Sequence, residues 1–329
     1  MNSILNSIFT ALDLNPKNGL AVEDSLSDMT TYQRLFFKQV QEKVGVDAVY
    51  FLRDSDGIAK IPLIYFSAMD KYDPDEVATL HRLAWNLGEA PLLFIVTPDE
   101  LKIFNNYKTP RKKDGTLDPK AGLIETIKLA DDLESQRQQL AHYNRIQLES
   151  GDFWRTSMTR FDSKARVDAT LMNNLKIIRS TLIKQIKRRL DKEQQRSVNI
   201  VAIVHGLLSR SILIKYLEER KDSNKNSVFP TGFYAQFLKN AECYTDILMS
   251  KHATYNLFNC LEEKFNGDML PLVDDEFDIV CEDDLRTLRL FLIGDTELTR
   301  WQIALWPLYS FDVIPIQLIS SIYELFFHL

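Results

Sequence analysis

The sequence predicts an α+β protein, with a mixed sheet flanked by helices in the first part and an all-helical second part. Three observations carry this. Apolar runs of strand length, DAVYFL, IPLIYFSAM, PLLFIVTP and LKIFNNY, crowd residues 47–107. Beyond about residue 120 strand signals fade and apolar residues return every three or four positions. Between these regions lies YKTPRKKDGTLDPKAG, rich in Pro, Gly and Lys. At roughly 150 residues per domain, 329 residues fit two. The expected division is a sheet domain over 1–120, a helical linker over 121–165 and a helical domain over 166–329.

Taken in order, Ile4, Leu5, Ile8, Phe9 and Leu12 stand at helical spacing, with neither the basic start nor the small-residue cleavage site of a signal peptide. A helix follows around TTYQRLFFKQVQEKVG. The Asp-Gly step in RDSDGIAK favours a turn joining DAVYFL and IPLIYF as a hairpin. DPDEVATLHRLAWNLGEA opens with Asp and Pro and places Val77, Leu80, Leu83, Ala84 and Leu87 on one helical face. In the second part, Leu171, Leu175, Ile178, Leu182, Ile186 and Leu190 form one apolar stripe, and IVAIVHGLLSRSILIKYLEER is apolar on nearly every face, as suits the centre of a bundle. Further helices are expected through ATYNLFNCLEEKFN, LRTLRLFLIG and the residues after Pro315, with an acidic loop at VDDEFDIVCEDD.

The composition, 45% hydrophobic and 26% charged, excludes disordered and fibrous classes. A net charge of −6 argues against a molecule coated with positive charge, so the distribution of charge matters more than its total. Cys243, Cys260 and Cys281 make no CxxC pair, pointing to a reduced, cytoplasmic protein. The most apolar stretch near the C-terminus is broken by Pro315, Gln317 and Glu324, so no membrane span is expected.

The segment Arg166–Arg196 holds nine basic side chains and three acids. Lys184, Lys187, Arg188, Arg189 and Lys192 would project together from a helix whose other face is apolar, and could line the backbone of double-stranded DNA. Arg111, Lys112 and Lys113 offer a second phosphate contact. The eight carboxylates between Asp268 and Asp284 do not match a calcium-loop spacing and read as a solvated loop. Histidines 81, 142, 205, 252 and 328 have no metal-ligand spacing, and His205 reads as a satisfied core residue. No metal site is expected, and the usual nucleotide and cofactor signatures are absent from the sequence.

Metal-dependent nucleases of the PD-(D/E)xK type place an acid on one strand and a Glu-x-Lys, or its Asp equivalent, on the next, so that carboxylates hold magnesium and lysine steadies the attacking water. Here Asp47 opens the first strand, while Tyr65 takes the acid position and Ser67 the lysine position on the second. Asp54 and Asp56 solvate the turn. The expectation is a nuclease-like fold with a degenerate site. The alternative is an active magnesium-dependent endonuclease using Asp47 with Glu42.

FNGDMLP (265–271), LWPLYSFDVIPIQLISSIYELF (305–326) and the upstream LLSRSILIKYLEER together resemble the segment before the catalytic domain of adenine-specific DNA methyltransferases of restriction-modification systems, the type IIG enzymes and type I-like modification subunits. The stretch from VDAVYFL to KIFNNY is similar to the leading domain of some of these proteins. The resemblance implies a DNA-binding and positioning portion of a bacterial phage-defence enzyme. S-adenosylmethionine would be expected only in a catalytic domain beyond Leu329, and no cofactor in this chain itself. Ile316, Ile319, Ile322, Leu325 and Phe326 would then lack cover and seat that domain or a partner subunit.

Overall fold

The computed structural model describes residues 3–53, 58–112, 115–157, 161, 166–221, 226–265, 272–293 and 309–327. The chain is α+β and divides into two compact units, residues 1–169 and 170–329.

The first unit is a six-stranded mixed sheet in sequential order: β1 (Leu20–Val22), β2 (Ala48–Arg53), β3 (Ala59–Ala68), β4 (Leu92–Val96), β5 (Glu100–Asn105) and β6 (Leu123–Lys128). Neighbours are antiparallel except β3 and β4, which run parallel across the crossover made by α3. The β2–β3 hairpin forms as the turn signal predicts, pairing Val49 with Tyr65 and Ala48 with Phe66. Gly19 leads into β1 at φ 114°, where a Cβ would lie 2.3 Å from the Phe51 carbonyl oxygen, so only glycine fits.

Helices cover both faces of this sheet. On one side α1 (Ser3–Ala11) sends Phe9 edge-on to Phe66, and Tyr143 meets Phe94 in the same way. On the other lie α2 (Thr31–Val44), with Phe36 against Phe51, and α3 (Pro74–Leu87), with His81 against Phe104. The caps are written in the sequence. Thr30 and Gln33 form a reciprocal box at the start of α2, and the Asp73 carboxylate accepts from the Asp75 and Glu76 amides ahead of α3.

Residues 121–165 are not a helical linker. They begin with β6, paired to β5, and continue through α4 (Leu133–Gln139), α5 (Arg145–Glu149) and α6 (Asp152–Ser157), whose neighbourhood buries Leu140, Tyr143, Leu148 and Phe153 in the sheet's core. The strand is easily missed in LIETIK. It is an edge strand in which Ile127 alone is buried, so its two-residue period is faint and its charges guard the edge.

In the second unit the described residues form helices and one isolated bridge, Lys221 to Ser227. They are α7 (Val167–Arg189, which starts at the end of the first unit), α8 (Gln194–Ser197), α9 (Ile200–Glu219), α10 (Tyr244–Ile247), α11 (Lys251–Lys264), α12 (Glu276–Ile279), α13 (Glu282–Ile293) and α14 (Ile316–Phe327). The stripe Leu171, Leu175, Ile178, Leu182 and Ile186 is buried, as its spacing predicts. By length and composition α9 could cross a membrane, but it is mostly buried inside this unit, as a core helix is. Gly206, inside α9, is explained by packing: a Cβ there would come within 3.1 Å of the Arg210 guanidinium.

The acidic stretch is not simply a solvated loop. Its Glu276 and Asp284 are buried and pair with Arg210 and Arg189, because an interior charge needs a matching counter-charge. The terminal helix is also partly covered. α14 packs on α9 and Ile319 is buried, while Ile316 remains exposed. The side chains of Ile322, Leu325 and Phe326, and the segment FNGDMLP beyond Phe265, lie outside the described residues.

Candidate nucleic-acid interface

An α-helix advances 100° per residue, and this sorts the six basic residues of α7 into two sets. Lys176, Lys184, Lys187 and Arg188 fall within about 120° of arc, opposite the buried stripe, and all four are exposed. The rest of that exposed face is Asn173, Ser180 and Thr181, and the only acid on α7, Asp168, sits in its first turn. From Lys176 to Arg188 the row is about 18 Å long at 1.5 Å per residue. Lys192 follows in the exposed turn into α8.

Arg179 and Arg189 point the other way. The Arg179 Nε donates to His205 Nε2 at 2.5 Å, which leaves the imidazole proton on Nδ1 and makes His205 a satisfied core histidine. The Arg189 guanidinium grips the wholly buried Asp284 carboxylate with both terminal nitrogens, the Nη1–Oδ1 bond being 2.9 Å. Arg189, expected as a phosphate contact, thus has its guanidinium engaged by a buried carboxylate while about one third of its side chain stays exposed. In a linear reading it belongs to the basic run KRR, whereas on the helix it stands on the side of the buried stripe and reaches in to Asp284.

Of the second expected phosphate contact, Lys112 is exposed, Arg111 pairs as a bridge with Leu117, and Lys113 lies outside the described residues. This loop belongs to the first unit and the α7 row to the second.

In the sheet domain, Asp47 sits at the mouth of the β2–β3 hairpin, and its Oδ2 accepts from the Ala68 amide at 2.8 Å, fixing the register. Tyr65 and Ser67 share its side of the sheet by two-residue alternation and are buried. Burial, with the Glu89 carboxylate second, pushes the Tyr65 phenol well above its usual range, so this position holds a neutral hydroxyl. Glu42 is exposed on α2. No group of three or more His, Cys, Asp or Glu side chains disposed to hold a metal occurs among the described residues. Asp54 and Asp56 lie outside them.

The motif LLSRSILIKYLEER is a structural clasp. The Glu218 carboxylate accepts from the Tyr244 amide at 2.6 Å and pairs with Lys215. Glu219 accepts from the Phe311 amide at 2.8 Å, and Arg220 donates to the Ile314 carbonyl at 3.5 Å while lying over the Tyr216 ring. Asn174 of α7 donates to the Tyr309 hydroxyl at 3.1 Å. The end of α9 is thus tied to the segment leading into α14. Compared with known proteins, the chain matches no family model, no curated protein and no solved structure.

Proposed function

We propose that the second unit holds double-stranded DNA by its phosphates, as the positioning part of an adenine-specific methyltransferase system of the restriction-modification kind. The observation that carries this reading is the exposed face of α7, where Lys176, Lys184, Lys187 and Arg188 stand in a row with no acid among them. Such a row neutralises phosphates and releases counterions without reading base edges. Charge complementarity with the helix C-terminus favours cations in its last turn but falls off beyond it, so it does not account for Lys176. The methyltransferase context rests on the sequence resemblance, and S-adenosylmethionine chemistry is assigned to no residue of this chain.

The first unit supports a nuclease-like reading with its β2–β3 hairpin, the α3 crossover to a parallel β4, and Tyr65 and Ser67 where an acid and a lysine would stand. Exposed Ile316 on α14 is the contact this reading offers to a methyltransferase domain or partner subunit.

The test is binding of a short labelled duplex across about 50 to 200 mM salt. Alanine at Lys176, Lys184, Lys187 and Arg188 together should weaken binding equally on unrelated sequences and flatten the dependence of log K on log salt by about 0.9 per lost contact. Unchanged affinity and slope would reduce the row to a solvated face.

A further inference from the structure

We propose that Arg189 is a positioning residue for a preorganised phosphate-binding corner at the α7–α8 junction, an inference that rests on the DNA-holding reading above. The corner displays Lys187, Arg188, Lys192 and Arg196, all exposed, beside the exposed acids Asp191 and Glu193. Its backbone is fixed from three directions. Arg189 clamps Asp284 and also donates to the Ile279 carbonyl at 3.3 Å, tying the end of α7 to the start of α13. The Gln195 amide nitrogen donates to the carbonyls of Lys187 at 2.8 Å and Leu190 at 2.9 Å, satisfying acceptors left open where α7 ends. Asp191 Oδ1 accepts from the Glu193 and Gln194 amides, each at 2.8 Å, and starts α8.

Asp284 makes Arg189 different from its neighbours. Its carboxylate is wholly buried and also accepts from the Cys281 amide at 3.0 Å, so without a cation it would be a charge stranded in the interior. That requirement fixes where Arg189 must lie. Because consecutive helical residues are 100° apart, it also fixes the direction in which Lys187 and Arg188 leave the helix. A corner already set before binding loses less freedom when phosphates arrive.

The sign of one substitution separates positioning from contact. Asp284→Asn keeps the side-chain shape and makes the chain more positive by one charge, so electrostatics alone would tighten duplex binding. The proposal expects it to weaken binding about threefold or more, with circular dichroism showing the variant fully folded at the assay temperature. Arg189→Lys keeps the charge and one bond to Asp284, and should bind between the native chain and Arg189→Met. If Asp284→Asn fails to fold, the lysine variant decides. Native-like binding by Arg189→Lys, or equal or tighter binding by Asp284→Asn, overturns the positioning role while leaving the DNA-holding reading intact. If instead the quadruple alanine variant of the α7 row binds as the native chain does, the DNA-holding reading fails, and this inference with it.

Discussion

Removing the Glu276 carboxylate should bring the second unit close to unfolding. Arg210 and Glu276 are each 1% exposed, and the carboxylate also accepts from the Tyr255 hydroxyl at 3.1 Å and the Val273 amide at 3.3 Å. The guanidinium lies 4.8 Å from the Phe258 ring centroid and against Gly206. Glu276→Ala removes the buried partner of that cation, at a cost of about 3 to 5 kcal/mol, a large share of the roughly 5 to 15 kcal/mol that holds a typical domain. With a urea slope of about 2 kcal/mol per molar, the midpoint of the second unit's transition should fall by about 1.5 to 2.5 M, followed by circular dichroism at the helix band. The double change Arg210→Met with Glu276→Leu should recover most of the loss, because an apolar pair of similar size leaves no charge behind. A single-variant shift under about 0.5 M, or a double variant no better than the single one, would refute the view that Arg210 depends on the Glu276 carboxylate for its burial.

Three further outcomes follow from the same structure. Gly206→Ala should destabilise the native chain, since its Cβ would press on the pinned Arg210, yet in the Arg210→Met background it should stabilise by up to about 1 kcal/mol from helix propensity; thermal melts of the four combinations measure the reversal. Burial pulls the His81 imidazole down to about 4, opposed by a hydrogen bond to the Asn105 backbone and by the Asp118 charge. The unfolded chain therefore takes up this proton first as pH falls below about 6.5, and the first unit should lose up to about 3 kcal/mol between there and pH 4, a slope that His81→Phe should flatten in urea titrations. Glu219→Ala should cost about 1 to 3 kcal/mol by removing the carboxylate that accepts from the Phe311 amide, and hydrogen exchange should quicken at that amide before it quickens in α9.

The hairpin, the α3 crossover and the buried stripe of α7 were legible because each has a strong period or a turn residue with a mechanism. β6 was not, since an edge strand that buries little leaves little alternation to read. The acidic stretch misled for a different reason. Nothing local in VDDEFDIVCEDD separates Glu276 and Asp284 from their exposed neighbours, and their partners Arg210 and Arg189 lie 66 and 95 residues away. For α7, the 100° advance per residue places Arg189 and Arg179 at or beside the buried stripe and away from the row Lys176, Lys184, Lys187 and Arg188, an angular separation that the linear run KRR hides. Placing Tyr65 and Ser67 opposite the start of β2 was within reach, because one turn fixes the whole register of a hairpin.

The clasp at the end of α9 bears on how this sequence can diverge. Glu218 and Glu219 each bind a main-chain amide, at Tyr244 and Phe311, and Arg220 binds a main-chain carbonyl at Ile314. The receiving groups are supplied by every residue type except, for the amides, proline. Positions 244, 311 and 314 are free to drift as far as these bonds are concerned, while the two acids and the arginine are held. Paired-substitution statistics would therefore find no partners of these three at positions 244, 311 and 314, and would miss the main-chain contacts that close this part of the molecule.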